Sequence, residues 1–243
     1  RIVFVTPYEE KFSLIGTTDV DYEGDPKLAA ISKEETDYLL NVVNEHFKKQ
    51  LSNKDVVWSY SGVRPLMDDE RGAAQKASRD YTFEVDASPN QPPLLSVFGG
   101  KITTYRKLAE AATDAIVKFF PNAGERWTKS ATFPGGDFKD HQSLRSSFKK
   151  DYPWLADSCI GRYVRLYGTL AKTFLKNASE ESHLGKYFGC DLYQVEVDYL
   201  IDHEWASTLE DIIWRRTKLG LVLSDEQKTQ IEDYLATRKT SET

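Results

Sequence analysis

With 243 residues, 40% hydrophobic and 29% charged side chains, the chain can bury a core in one large or two modest domains, and its five Trp, thirteen Tyr and twelve Phe exclude a disordered polymer. A net charge of −6 excludes a general nucleic-acid binder, which needs clustered Lys and Arg to displace counterions, so an anion site here must be a local concentration of positive charge. Two cysteines, Cys159 and Cys190, cannot build a disulfide framework, and no apolar run reaches the ~20 residues that span a bilayer, so a reducing cytoplasmic setting with at most peripheral membrane contact is expected.

The chain starts at Arg1 inside an apolar run, Arg1-Ile-Val-Phe-Val-Thr6, and reads as a piece of a longer protein. Ile2–Val5 and Phe12–Thr17 are short β-branched and aromatic runs around Pro7-Tyr-Glu-Glu-Lys11, which predicts a hairpin. Ser32-Lys-Glu-Glu35 has the form of a capping box. Behind it Leu39, Leu40, Val43, Phe47 and Leu51 share one helical face. Val56–Tyr60, Tyr81–Val85 and Leu94–Phe98 read as strands, the last so apolar that burial on both faces is expected. Gly99-Gly-Lys-Ile-Thr-Thr104 then opens a helix with Tyr105, Leu108, Ala109, Ala112, Ile116 and Phe119 on one stripe, capped by Thr103 or Thr104.

Turn residues in Pro121-Asn-Ala-Gly124 and Pro134-Gly-Gly-Asp137 place a domain boundary near residue 121. Beyond it the periodicity predicts helices over 143–151, 156–167, 170–177, 194–205, 208–219 and 224–237. The last begins with a second capping box, Ser224-Asp-Glu-Gln227, and Gly220 is placed to stop the helix before it. The expected architecture is an α+β segment, residues 1–121, followed by a small all-α domain, residues 122–243.

Two constellations can carry chemistry. A double glycine between a strand and a helix start lets backbone approach a flat ligand, and the unpaired N–H groups there favour negative charge. By spacing alone, a tight packing turn explains Gly99-Gly100 as well. Arg64, set by Pro65 on an extended segment or turn, together with Arg79 and Lys101, can cradle a dianionic phosphate if the three converge. Otherwise they are surface charges. The histidines His46, His141, His183 and His203 are scattered, Ser207 stands where a two-histidine zinc helix needs its second His, and no Gly-x-Ser-x-Gly occurs, so metal and hydrolase readings fall away. Arg215-Arg-Thr-Lys218 beside Trp205 and Trp214 reads as a solvated helix end rather than an interfacial helix.

Phe12-Ser-Leu-Ile-Gly-Thr-Thr-Asp19, Tyr60-Ser-Gly-Val-Arg-Pro-Leu66, the block from Leu94 through Phe98-Gly-Gly-Lys-Ile-Thr-Thr-Tyr-Arg-Lys-Leu108, Asp202-His-Glu-Trp205 and Trp214-Arg-Arg-Thr-Lys218 occur in order along the chain. In these motifs it closely resembles the C-terminal part of the bacterial aerobic FAD-dependent glycerol-3-phosphate dehydrogenases. The resemblance implies a partial D-amino-acid-oxidase-like fold, with FAD as cofactor and sn-glycerol 3-phosphate oxidised to dihydroxyacetone phosphate. It also implies electrons passed to a quinone, and attachment to the inner face of the cytoplasmic membrane. It makes Arg64, Arg79 and Lys101 ligands of the substrate, and Gly99, Gly100, Lys101, Ile102 and Thr103 the flavin-facing turn. The family's Gly-x-Gly-x-x-Gly loop, its catalytic histidine and a further phosphate-pocket arginine are not among these 243 residues. No catalytic residue is therefore assigned, and this piece alone is expected to be inactive and to lose FAD. The alternatives are a non-catalytic helical module for dimerisation or docking, and part of a related flavin amine oxidase. Oligomeric state stays open, a homodimer included.

Overall fold

Residues 2–9, 11–64 and 80–241 are described in the computed structural model of the chain. They form two units, Arg1–Ser130 and Ala131–Thr243.

The first unit is mixed α and β. Strand β1 (Phe4–Tyr8) pairs antiparallel with β2 (Phe12–Gly16), in a register that sets Phe4 opposite Gly16 and Tyr8 opposite Phe12. The hairpin is thus tighter than the sequence suggests, because Pro7 and Tyr8 join the strand and pair with Ser13 and Phe12. Helix α1 (Lys33–His46) starts on the predicted capping box, with Glu35 N–H donating to Ser32 Oγ at 3.1 Å and Ser32 N–H to Glu35 Oε2 at 2.9 Å. It buries Leu39, Leu40 and Val43, whereas Phe47 lies past its end and is half-exposed.

Two strand expectations need correction. Val56–Tyr60 pairs with no strand among the described residues; its alternation instead sets Trp58 and Tyr60 on one side, their rings stacked 5.2 Å apart. The run around Leu94 does form a strand, β4 (Leu94–Gly99), antiparallel to β3 (Tyr81–Asp86), but it is not buried on both faces: Leu94 is 62% exposed. A two-stranded ribbon has one neighbour per strand, and among the described residues α2 (Tyr105–Val117) packs on both of its strands.

The second unit is mainly helical. Helices α3 (His141–Asp151), α4 (Asp157–Tyr167), α5 (Ala171–Leu175), α6 (Gln194–Glu204) and α7 (Asp225–Ser241) fall close to the predicted spans. Its core includes fully buried Phe148, Ile160, Leu200, Ile212 and Ile231, with Tyr163, Tyr167, Phe174 and Tyr199 packed ring against ring at 5.0–6.1 Å. The Pro134–Asp137 turn is stitched to the corner after α4, where Thr169 N–H donates to Gly135 O at 3.0 Å.

The expectation of an all-α unit misses one small element. A hairpin of β5 (Tyr187–Gly189) and β6 (Leu192–Tyr193) turns on Cys190 and Asp191, both at positive φ, 52° and 61°. That geometry matches the strand twist in a two-residue hairpin, but it is usually signalled by Asn-Gly or Asp-Gly rather than Cys-Asp. The segment expected as a helix over 208–219 is a π-helix over Asp211–Arg216, and Lys218, not Gly220, takes the left-handed backbone beyond it. Gly220 instead packs flat on Trp214, where an added Cβ would come within 2.5 Å of the indole.

Candidate functional site

The stretch from β4 into α2 builds the first half of the site. Gly99 and Gly100 hold φ of 74° and 101°, a region open to glycine and strained for other residues. The chain then makes a single 3-10 turn, Ile102–Thr104, before α2. Thr104 sits at the predicted cap position, but its hydroxyl serves the turn: Oγ1 donates to Lys101 O at 3.1 Å, and Lys101 N–H lies 3.4 Å from it. Lys101, Ile102 and Thr103 all face solvent, so the N-terminal end of α2 presents backbone and side chains on an open surface.

A clamp behind this surface was not legible in the sequence. Glu110 is the one buried residue of α2. Its Oε1 accepts from Arg106 Nη1 and from Thr128 Oγ1, both at 2.6 Å, and Oε2 lies 3.5 Å from Lys107. The Thr128 hydroxyl first, then the two cations, hold its carboxyl below the usual carboxylate range. Arg126 also pairs with Asp114, its Nε donating at 3.0 Å. The segment after Pro121 is thereby strapped along the helix that carries the glycine turn.

The second half centres on Arg64, outside helix and strand. Its half-exposed guanidinium donates to Asp19 Oδ2 at 3.1 Å. Asp19 is positioned by its neighbour, since Thr18 Oγ1 donates to Glu35 Oε1 at 2.5 Å while Glu35 Oε2 caps α1. The Thr18 hydroxyl first, and the Ser32 N–H with it, keep the Glu35 carboxyl below its ordinary range. The Gly16-Thr-Thr-Asp19 motif thus links Arg64 to the start of α1. Gly99, Gly100, Lys101, Ile102 and Thr103 are brought together by their turn, Arg64 is held on its own segment against Asp19, and Arg79 lies outside the described residues.

The open double-glycine turn leading into a helix start fits a flat, anionic cofactor ring. It offers backbone without Cβ atoms at Gly99 and Gly100, followed by the exposed residues Lys101, Ile102 and Thr103 at a helix start. Residues 1–106 match the family described as FAD dependent oxidoreductase, and residues 126–238 match the C-terminal domain of alpha-glycerophosphate oxidase. The first match lies within Arg1–Ser130 and the second spans most of Ala131–Thr243.

The chain is similar to the aerobic glycerol-3-phosphate dehydrogenase of Escherichia coli strain K12, 48% identical over 97% of the chain and 47% of that protein. A glycerol-3-phosphate dehydrogenase of Pseudomonas aeruginosa is 50% identical over 97% of the chain and 46% of its own length. The D-erythritol 1-phosphate dehydrogenase of Brucella abortus is 42% identical over 96% of the chain and 47% of its length. The chain spans about half the length of these relatives. Among the described residues no three His, Cys, Asp or Glu side chains gather as a metal site, and no helix is long and apolar enough to cross a membrane.

Gly100→Ala tests the turn. The Cβ would lie 2.8 Å from Leu108 Cδ1, a side-chain end that can yield, so the cost comes from the backbone at φ 101°. A loss of about 1–3 kcal/mol in unfolding free energy is expected. Equal stability in chemical denaturation would show that the turn does not depend on glycine.

Proposed function

We propose that the chain is the substrate-cap and C-terminal portion of an FAD-dependent sn-glycerol-3-phosphate dehydrogenase. Residues 1–121 contribute to the substrate and flavin sites, and residues 122–243 form its helical C-terminal domain. The observation that carries this reading is the 48–50% identity, over 97% of the chain, to two proteins named glycerol-3-phosphate dehydrogenase. The relative named for D-erythritol 1-phosphate supports the same substrate class, a polyol bearing a phosphate monoester.

When bound, FAD supplies the two-electron acceptor for oxidation of the C2 carbinol to the ketone of dihydroxyacetone phosphate. Arg64 and Arg79 offer guanidinium forks to the phosphate, and Lys101 adds a point charge from the glycine turn. Gly99, Gly100, Lys101, Ile102 and Thr103 line the cofactor ring, where the N–H groups of the α2 start favour negative charge. No residue of this chain is assigned the proton transfer at C2. In the parent flavoprotein the electrons pass on to a quinone, and the protein sits peripherally on the inner face of the cytoplasmic membrane, as a homodimer in the simplest assembly.

The parent, purified with FAD, is expected to reduce an artificial electron acceptor with glycerol 3-phosphate in preference to other polyol phosphates. Turnover of erythritol 1-phosphate alone would replace the substrate. The 243-residue chain by itself is expected to bind neither FAD nor glycerol 3-phosphate in absorbance titration and calorimetry, because the dinucleotide loop is absent from its sequence. Stoichiometric FAD binding by this chain would show that the glycine turn and α2 suffice.

A further inference from the structure

Trp205 is unfavourable in the unit that carries it. It follows α6 at the position where helices commonly place glycine, with φ 56° and ψ 25°. Left-handed backbone is strained for a bulky side chain. The indole is also 88% exposed, so its ring gains nothing from burial within this chain.

The backbone beneath it is nevertheless held firmly. The N–H groups of Trp205 and Ala206 both donate to Leu200 O, the second at 3.0 Å. Arg216 donates to Glu204 O through Nε at 3.2 Å and Nη2 at 2.6 Å. Immediately beyond, the Asp211 carboxylate accepts from Ser207 N–H at 3.0 Å and Thr208 N–H at 2.9 Å. A large aromatic ring fixed in this way and left bare has the character of a pre-organised binding anchor.

We propose that Trp205 is the anchor through which the helical unit docks on the part of the flavoprotein that this chain does not span. This rests on the functional reading above. Two observations select that occupant. About half the length of the relatives lies outside the chain, and the unit presenting Trp205 matches the C-terminal domain of alpha-glycerophosphate oxidase. The charges on this stretch are already paired, Arg216 with Glu204 at 3.5 Å and Arg215 with Asp211 at 3.0 Å, so they call for no charged partner. The partner surface is an apolar slot with a hydrogen-bond acceptor for the indole N–H, not an anionic one.

Trp205→Gly separates the outcomes by sign. In the 243-residue chain, glycine relieves the backbone and the melting temperature is expected to rise by roughly 2–4 °C. In the FAD-loaded parent the same change is expected to lower it and to speed proteolysis between residues 106 and 126. Trp205→Asn, which tolerates the left-handed region, should reproduce both signs. A rise in both proteins, or a fall in both, overturns the proposal. A fall in the parent accompanied by dissociation of a dimer in light scattering assigns Trp205 to a second copy and overturns it as well. Turnover of glycerol 3-phosphate by the unsubstituted parent is measured alongside, so a failure of the functional reading is seen separately from these stability changes.

Discussion

Arg64→Ala in the parent flavoprotein is expected to lower kcat/KM for glycerol 3-phosphate about 30-fold to several thousand-fold, the loss of roughly 2–5 kcal/mol from a charge-assisted fork on a dianion. The structure makes this a clean measurement. The Arg64–Asp19 pair is exposed, at 49% and 34% of the two side chains, so removing it costs folding about 1 kcal/mol at most. A large kinetic effect would therefore report on ligand, not on unfolding. Arg64→Lys keeps the charge and loses the fork, and is expected to fall between wild type and alanine. Asp19→Asn frees Arg64 from its carboxylate and should change KM more than kcat, because Asp19 is proposed to aim the guanidinium and not to touch substrate. Near-normal efficiency in Arg64→Ala would reduce Arg64 to the partner of Asp19 and remove it from the phosphate pocket.

What the sequence made legible was short in range. The boxes at Ser32/Glu35 and Ser224/Gln227 join residues three apart, and both form as hydrogen-bonded pairs. The helical stripes of the second unit are similarly local, and α3, α4, α6 and α7 lie where periodicity put them. What stayed hidden depends on distant partners. Asp19 and Arg64 are 45 residues apart, and Glu110 and Thr128 are 18 apart; nothing in either neighbourhood announces the other. The apolar run of β4 gave the opposite error, since composition says that a strand wants burial but not how many neighbours are there to supply it. The Cys190-Asp191 turn and the left-handed Lys218 adopt backbone that their residue types rarely signal, and only tertiary packing selects it.

Glu196→Ala is expected to destabilise the helical unit by about 3–5 kcal/mol, read as a fall of several degrees or more in its melting temperature. Glu196 is fully buried on α6, and its carboxylate grips Arg162 of α4 through Oε1–Nη1 at 2.6 Å and Oε2–Nη2 at 2.5 Å. Tyr167 donates to the same Oε1 at 2.6 Å, and Arg162 Nη2 reaches Asp191 O in the hairpin turn at 2.5 Å. One ion pair thus ties α4, α6 and the β5–β6 turn together. Burial works against the Arg162 charge, yet Glu196 more than offsets this and holds the guanidinium protonated above its ordinary range. Arginine cannot escape by losing its proton at any accessible pH, so removing the carboxylate leaves a buried, unpaired cation and an orphaned Tyr167 hydroxyl. Arg162 Nε already lacks a hydrogen-bond partner among the described residues, so the guanidinium has one donor unsatisfied even with Glu196 in place. The double replacement Arg162→Met with Glu196→Leu removes both charges and fills the same space, and is expected to recover most of the loss. Recovery in the double variant would assign the penalty to the stranded cation. If Glu196→Ala cost less than ~1 kcal/mol, a carboxylate buried against this arginine would be worth no more than a surface pair, and the network would not be what joins α4 to α6.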